Sequence, residues 1–199
     1  MKSYELLGAF VLFAVVASFT PGPNNVMLMT SGLNFGVQRA QAHAFGVSIG
    51  FAFMVLVVGV GLGALFTAWP LLYQILKYAG VAYLLYLAWL IARAHGLREG
   101  EKRSRPITFL QAAAFQWINP KGWVMIVGAV TSFTAFMPYP GNVLVMAAIF
   151  GLLCIASAEA WILFGSSLRR IVTNDRAVRI FNITMAFLLV ASIIPVLVE

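Results

Sequence analysis

Of the 199 residues, 62% are hydrophobic and only 10% charged, against roughly a quarter charged in a soluble domain. So small a fold cannot hide that much apolar surface from water, so lipid is its solvent and the soluble classes are excluded. The net charge of +7 suggests nucleic acid at first sight, but the basic residues fall between apolar runs. There they read as orientation signal and contacts to anionic headgroups, and no nucleic-acid partner is expected.

Cys154 is the only cysteine, so the chain offers no internal disulfide and no Cys/His metal spacing. Asp175 is the only aspartate, whereas a hard-cation site needs a cluster of carboxylates. No metal and no cofactor are expected.

The first apolar run is free of charge from Leu6 to Gln38. Its length, and Glu5 before it, argue against a cleaved signal peptide over Leu6–Phe19. As one helix the run would extend roughly 50 Å at 1.5 Å per residue, too long for a straight span of about 20 residues. Thr20-Pro21-Gly22-Pro23-Asn24-Asn25 breaks it near the middle. Spans are predicted over about 5–37, 43–66, 71–92, 107–137, 142–166 and 178–198. The fourth is interrupted in the same way by Asn119-Pro120-Lys121.

Charge sorts the connections. Arg39 follows the first span, Arg93, Arg98, Lys102, Arg103 and Arg105 surround the loop after the third, and Arg169, Arg170, Arg176 and Arg179 the loop after the fifth. Thr67-Ala68-Trp69-Pro70 and Met137-Pro138-Tyr139-Pro140-Gly141-Asn142 carry no charge. The positive-inside rule puts the basic loops in the cytoplasm and both termini outside. The expected fold is an all-α integral membrane protein, a single domain over 1–199. Its six transmembrane helices form a 3+3 inverted repeat (about 1–95 and 106–199), with helices 1 and 4 broken at the proline motifs.

Thr20-Pro21 and Asn119-Pro120 each read as an N-cap followed by proline at the first helical position. Each break would start a half-helix whose unpaired N–H groups and positive dipole end face the bilayer centre. That is a ready site for an anion such as an amino-acid carboxylate. Broken helices at matching places in two halves are a pointer to a transport site. Gly22 permits close backbone approach, and Asn24 and Asn25 offer donors and acceptors. A lysine inside the membrane costs about 3 kcal/mol and faces a cavity or a partner, so Lys121 would pair with a substrate carboxylate or with Glu159.

The candidate substrate-binding residues are therefore Thr20, Pro21, Gly22, Pro23, Asn24, Asn119, Pro120 and Lys121. Glu159 stays open between proton carrier, partner of a substrate ammonium and counter-ion of Lys121. His43 reads as an interfacial histidine. Gly46-x-x-x-Gly50 and Gly59-x-x-x-Gly63 read as helix-packing faces, and Trp69, Tyr73, Tyr78, Trp89 and Tyr139 as interfacial belt residues.

At these residues the chain resembles the LysE/RhtB family of bacterial amino-acid exporters. The likeness rests on Thr20-Pro21-Gly22-Pro23-Asn24 and Asn119-Pro120-Lys121, with Gly46-Val47-Ser48-Ile49-Gly50 and Gly80-Val81-Ala82-Tyr83-Leu84 between them. It covers essentially the whole chain. The resemblance implies a six-helix, multi-pass protein of the bacterial inner membrane that exports amino acids in exchange for protons. Its partners would be a small-molecule substrate and the bilayer, with a homodimer as one assembly open to it.

Many family members carry an acidic residue just after the second glycine of Gly46-x-x-x-Gly50, where this chain has Phe51. That argues against basic substrates and resembles the branch exporting cysteine and O-acetylserine. Homoserine, threonine or another small metabolite is the alternative cargo. An intramembrane enzyme would need a carboxylate pair, a Ser/His pair or a metal cluster within the spans, and a channel would need no buried charge at the breaks.

Overall fold

The computed structural model describes residues 2–62, 70–93, 105–171 and 175–191. The expectations for Gly63, for Thr67-Ala68-Trp69, for Arg98, Lys102 and Arg103, for the side chains of Tyr73, Arg169 and Arg170, and for the end of the sixth span lie outside the described residues.

Among the described residues the architecture is helical throughout. Helix α1 spans Ser3–Phe19 and α2 spans Pro23–Phe35; α3 spans Val37–Val57 and continues into a π-helical turn, Val58–Leu62. Helix α4 is Pro70–Arg93, and α5 is Phe109–Phe115 with a 3-10 turn at Gln116–Ile118. Helix α6 is Pro120–Phe133 with a 3-10 turn at Thr134–Phe136, α7 is Gly141–Ile171 and α8 is Asp175–Ala191.

Val37–Gly61 and Gly141–Leu168 are long and apolar enough to cross a membrane, and α1 with α2 makes a third such span bent by 51° at its break. The boundary between the first two spans differs from expectation. The chain turns at Gly36, whose φ of 77° is the left-handed conformation that glycine adopts without strain. Span two therefore starts at Val37 rather than near 43, and Gln38, Arg39 and Gln41 join the first turns of α3 instead of a loop. Helix α5 opens on a capping box, in which Thr108 Oγ1 accepts from Gln111 N and Gln111 Oε1 accepts from Thr108 N.

Helix α7 is the central post and packs against α1, α2 and α3; α5 packs on α3, and α8 on α4. Small residues set the closest approaches, as expected where helices pack in lipid. A Cβ on Gly32 of α2 would overlap the backbone of Ile162, and one on Gly165 of α7 would overlap the backbone of Met29. Gly46 and Gly50 do face another helix: a Cβ on Gly50 would lie 2.6 Å from Ala113 Cα of α5. Toward the N-terminal end of α1, Phe10 stacks on Phe136 and meets Phe150 edge-on at 5.3 Å, and Phe150 meets Phe51 edge-on at 5.3 Å. Phe51 of this cluster also lines the space between the two breaks.

Candidate site at the two helix breaks

Each break is built by prolines acting on their predecessors. A residue before proline is pushed out of the helical region into extended backbone. Thr20, before Pro21, takes φ −59° and ψ 134° and becomes the C-cap of α1; its hydroxyl donates back to Val16 O at 2.5 Å. Gly22, before Pro23, is fully extended (φ −174°, ψ −179°) and N-caps α2, with Pro23 as the first helical residue. The expectation of Thr20 as N-cap and Pro21 as first helical residue is thus corrected by two positions. The second break follows expectation, with Asn119 as N-cap, its side chain accepting from Lys121 N at 3.2 Å, and Pro120 as first helical residue.

Asn24 and Lys121 are accordingly the second residues of their half-helices, and each reaches across to the other break. Asn24 Nδ2 donates to Gln116 Oε1 at 2.8 Å, and Gln116 Nε2 donates back to Asn24 Oδ1 at 3.3 Å. Gln116 caps the end of α5. Lys121 Nζ donates to Thr20 O, the cap of α1. The matching prolines of the two breaks are therefore Pro23 and Pro120, not Pro21 and Pro120. Gly22 makes room for this crossing, since a Cβ there would lie 2.6 Å from Lys121 Cδ.

The last carbonyls of α1 have no partner within their helix, and two further side chains from the interior give them three hydrogen bonds. Asn25 Nδ2 donates to Ser18 O at 3.1 Å and to Thr20 O at 2.8 Å, and Ser157 Oγ donates to Ser18 O at 2.8 Å.

Between the breaks lies a cavity of about 30 Å³, room for about two waters. Ser18, Gly22, Asn24, Asn25, Asn119, Lys121 and Ser157 give it a polar side, and Phe51, Met125 and Cys154 an apolar one. Of the eight expected binding residues, Gly22, Asn24, Asn119 and Lys121 line it. Thr20 does not line it, although its carbonyl accepts from Asn25 and Lys121, and Pro21, Pro23 and Pro120 shape the backbone without lining the space.

Glu159 stands elsewhere: its Oε2 accepts from Gln41 Nε2 of α3 at 3.1 Å, and it neither lines the cavity nor pairs with Lys121. His43, expected at an interface, is fully buried, with Nδ1 at 2.9 Å from Ser31 Oγ of α2 and Nε2 unpartnered. The reason is the early start of α3, which draws His43 into the bundle. Among the described residues no group of three His, Cys, Asp or Glu could hold a metal ion.

Ser18, Gln116 and Ser157 were missed by the sequence reading. The available signal was weak but physical, because each is a polar side chain inside an apolar run, where it must find a partner. The site thus joins two positive helix ends and an ammonium to the negative end of α1, around a space with Phe51 on its apolar side.

The chain is similar to known proteins. Residues 15–194 match the model of the family described as LysE type translocator. Proteins named "Cysteine/O-acetylserine efflux protein" from Escherichia coli (strain K12), Shigella sonnei (strain Ss046) and Shigella flexneri are each 30% identical to the chain over 195 residues, covering 93% of it and 94% of their own length. No solved structure matches it. Because the family match runs unbroken through both breaks and the central helices, this chain belongs to the LysE type translocator family and is a membrane transporter, not an enzyme.

Proposed function

We infer that the protein exports small neutral amino acids, of the cysteine or O-acetylserine kind, by alternating access with proton antiport. The observation that carries this is the reciprocal crossing of Asn24 to Gln116 and Lys121 to Thr20 around a polar cavity. A zwitterion fits such a site. Its carboxylate faces the N-terminal ends of α2 and α6 and Lys121, where N–H groups and a positive charge favour an anion. Its side chain faces Phe51, Met125 and Cys154, which suits a small uncharged group. The names of the relatives support the same substrate class.

The packing supports a 3+3 inverted repeat. Helix α3 meets α7 and α4 meets α8, and the contact of α3 with α5 has its counterpart in that of α7 with α1. With the basic connections in the cytoplasm, both termini face outward across a bacterial inner membrane. A cavity of about 30 Å³ is far below the roughly 300 Å³ of an ordinary ligand pocket, so substrate enters only when one side opens. Of the three roles weighed for Glu159, its place beside Gln41 and away from Lys121 favours proton carrier.

The test is efflux from proteoliposomes loaded with labelled cysteine, O-acetylserine, threonine or lysine. Cysteine and O-acetylserine should leave faster than from protein-free vesicles, and faster still when the outer medium is the more acidic. Lysine should leave at the background rate. Background efflux of all four would end the amino-acid reading.

A further inference from the structure

The C-terminal end of α1 is a negative pole beside the cavity. Ser18 O and Thr20 O between them accept four hydrogen bonds. Three come from neutral side chains, Asn25 and Ser157, both buried. The fourth is the ammonium of Lys121, which arrives from the other half-helix on a flexible four-carbon stem laid over Gly22. Beside it Ser18, 6% exposed, lines the cavity, and its buried Oγ has no hydrogen-bond partner.

A carbonyl and a hydroxyl at a helix C-terminus form a receptor for a cation with several N–H donors. A free amino acid has such a cation one carbon from its carboxylate. Both poles border the same small space, because Ser18 of α1 and Gly22, Asn24 and Asn25 of the α2 start line it together.

Granting the amino-acid reading above, we propose that Thr20 O and Ser18 Oγ form a subsite for the primary ammonium of the transported molecule, which Lys121 fills in the substrate-free protein. Substrate entry exchanges one ammonium for another. Lys121 leaves Thr20 O for the incoming carboxylate, and the substrate ammonium takes its place, so the α1 end is never left without a cation. The exchange sets a selection rule. An amine without a carboxylate cannot move Lys121, because it repels it and offers it no new partner. An acid without an amine would draw Lys121 away and leave the α1 end bare. Only a molecule with both groups completes the exchange.

Binding of labelled cysteine, of cysteamine (cysteine without its carboxylate) and of 3-mercaptopropionate (cysteine without its ammonium) to the full chain in nanodiscs tests this. Wild type should bind cysteine and neither analogue. Lys121→Met vacates the subsite and removes the carboxylate partner. It should lose cysteine affinity and gain cysteamine affinity, each by about tenfold or more, the scale of one charged hydrogen bond. Gly22→Ala supplies a second readout, because its backbone is extended and tolerates a side chain, while the new Cβ pushes the Lys121 stem aside. It should gain cysteamine while keeping more of its cysteine affinity than Lys121→Met.

If wild type binds cysteine but neither variant gains cysteamine, the subsite is wrong and the transport reading stands. If wild type binds no amino acid, that reading falls, and the subsite is judged by cysteamine on the two variants alone. Should Lys121→Met fail to fold, Gly22→Ala decides.

Discussion

The two half-helices that start at the breaks, α2 and α6, share a proline first turn but differ in how they are held. Every residue of α2 from Asn25 to Leu33 is buried, and at Gly32 its backbone touches α7 with no room for a methyl group. Helix α6 buries one face only. Val124 is 60% exposed and Val127 49%, and Gly128 meets no backbone, only the Phe13 ring. The caps differ in the opposite sense, with bare extended backbone at Gly22 and a side-chain hydrogen bond at Asn119. The two breaks are thus held unequally: α2 is a floor wedged against α7, and α6 is an arm packed on one face that carries Lys121.

The largest effects should come from the wedge. Gly165→Ala or Gly32→Ala forces a methyl group into backbone, where overpacking already costs about 1–3 kcal/mol when side chains can yield. Here neither wall can yield, so a cost at or above that range is expected, read as a lowered thermal midpoint in detergent or loss of the monodisperse protein. Unchanged stability would remove the distinction between floor and arm. Next comes the tie between the breaks. Asn24→Ala leaves the fully buried Gln116 amide with one partner fewer, at about 1–3 kcal/mol. Replacing Asn24 and Gln116 together by Leu should cost less than the two single changes summed, because no buried amide is then stranded. Simple additivity in that double-mutant cycle would show that the pair does not couple the breaks.

What was legible in the sequence followed from strong local physics. Proline and glycine in an uncharged run forced the breaks, and a lysine in mid-run forced a partner, so Gly22, Asn24, Asn119 and Lys121 could be placed before any coordinates. The identity of that partner was not legible. Thr20 O is a backbone atom, and the stretch of sequence between it and Lys121 says nothing of their contact. The register at the first break was also lost, because Thr20-Pro21 and Gly22-Pro23 satisfy the same capping pattern. Only the extended backbone at Gly22 decides between them. Gly32 and Gly165 escaped notice because their pairing joins distant parts of the chain, whereas Gly46 and Gly50 announced themselves by spacing along one helix.

A smaller effect is expected at Glu159, which lies on the post rather than on floor or arm. Glu159→Gln keeps a carbonyl oxygen for the Gln41 donor, so the folded protein should change by no more than about 0.5 kcal/mol. A proton carrier cannot be replaced by an amide, however. Efflux from the variant should persist down a substrate gradient but lose its acceleration by an acidic outer medium. Full retention of that acceleration would move proton coupling away from Glu159.

The smallest change sharpens the comparison most, because its sign opposes that of the first. Gly128→Ala on the arm places its Cβ 3.6 Å from Phe13 Cζ, an ordinary contact. Alanine is favoured over glycine in a helix by about 1 kcal/mol, so the variant should match wild type or exceed it by up to that amount in thermal unfolding. The same methyl group that breaks the floor at Gly165 is then neutral or stabilising on the arm. Destabilisation by Gly128→Ala on the scale of Gly165→Ala would mean that α6 is wedged as tightly as α2. Floor and arm would then not differ in packing.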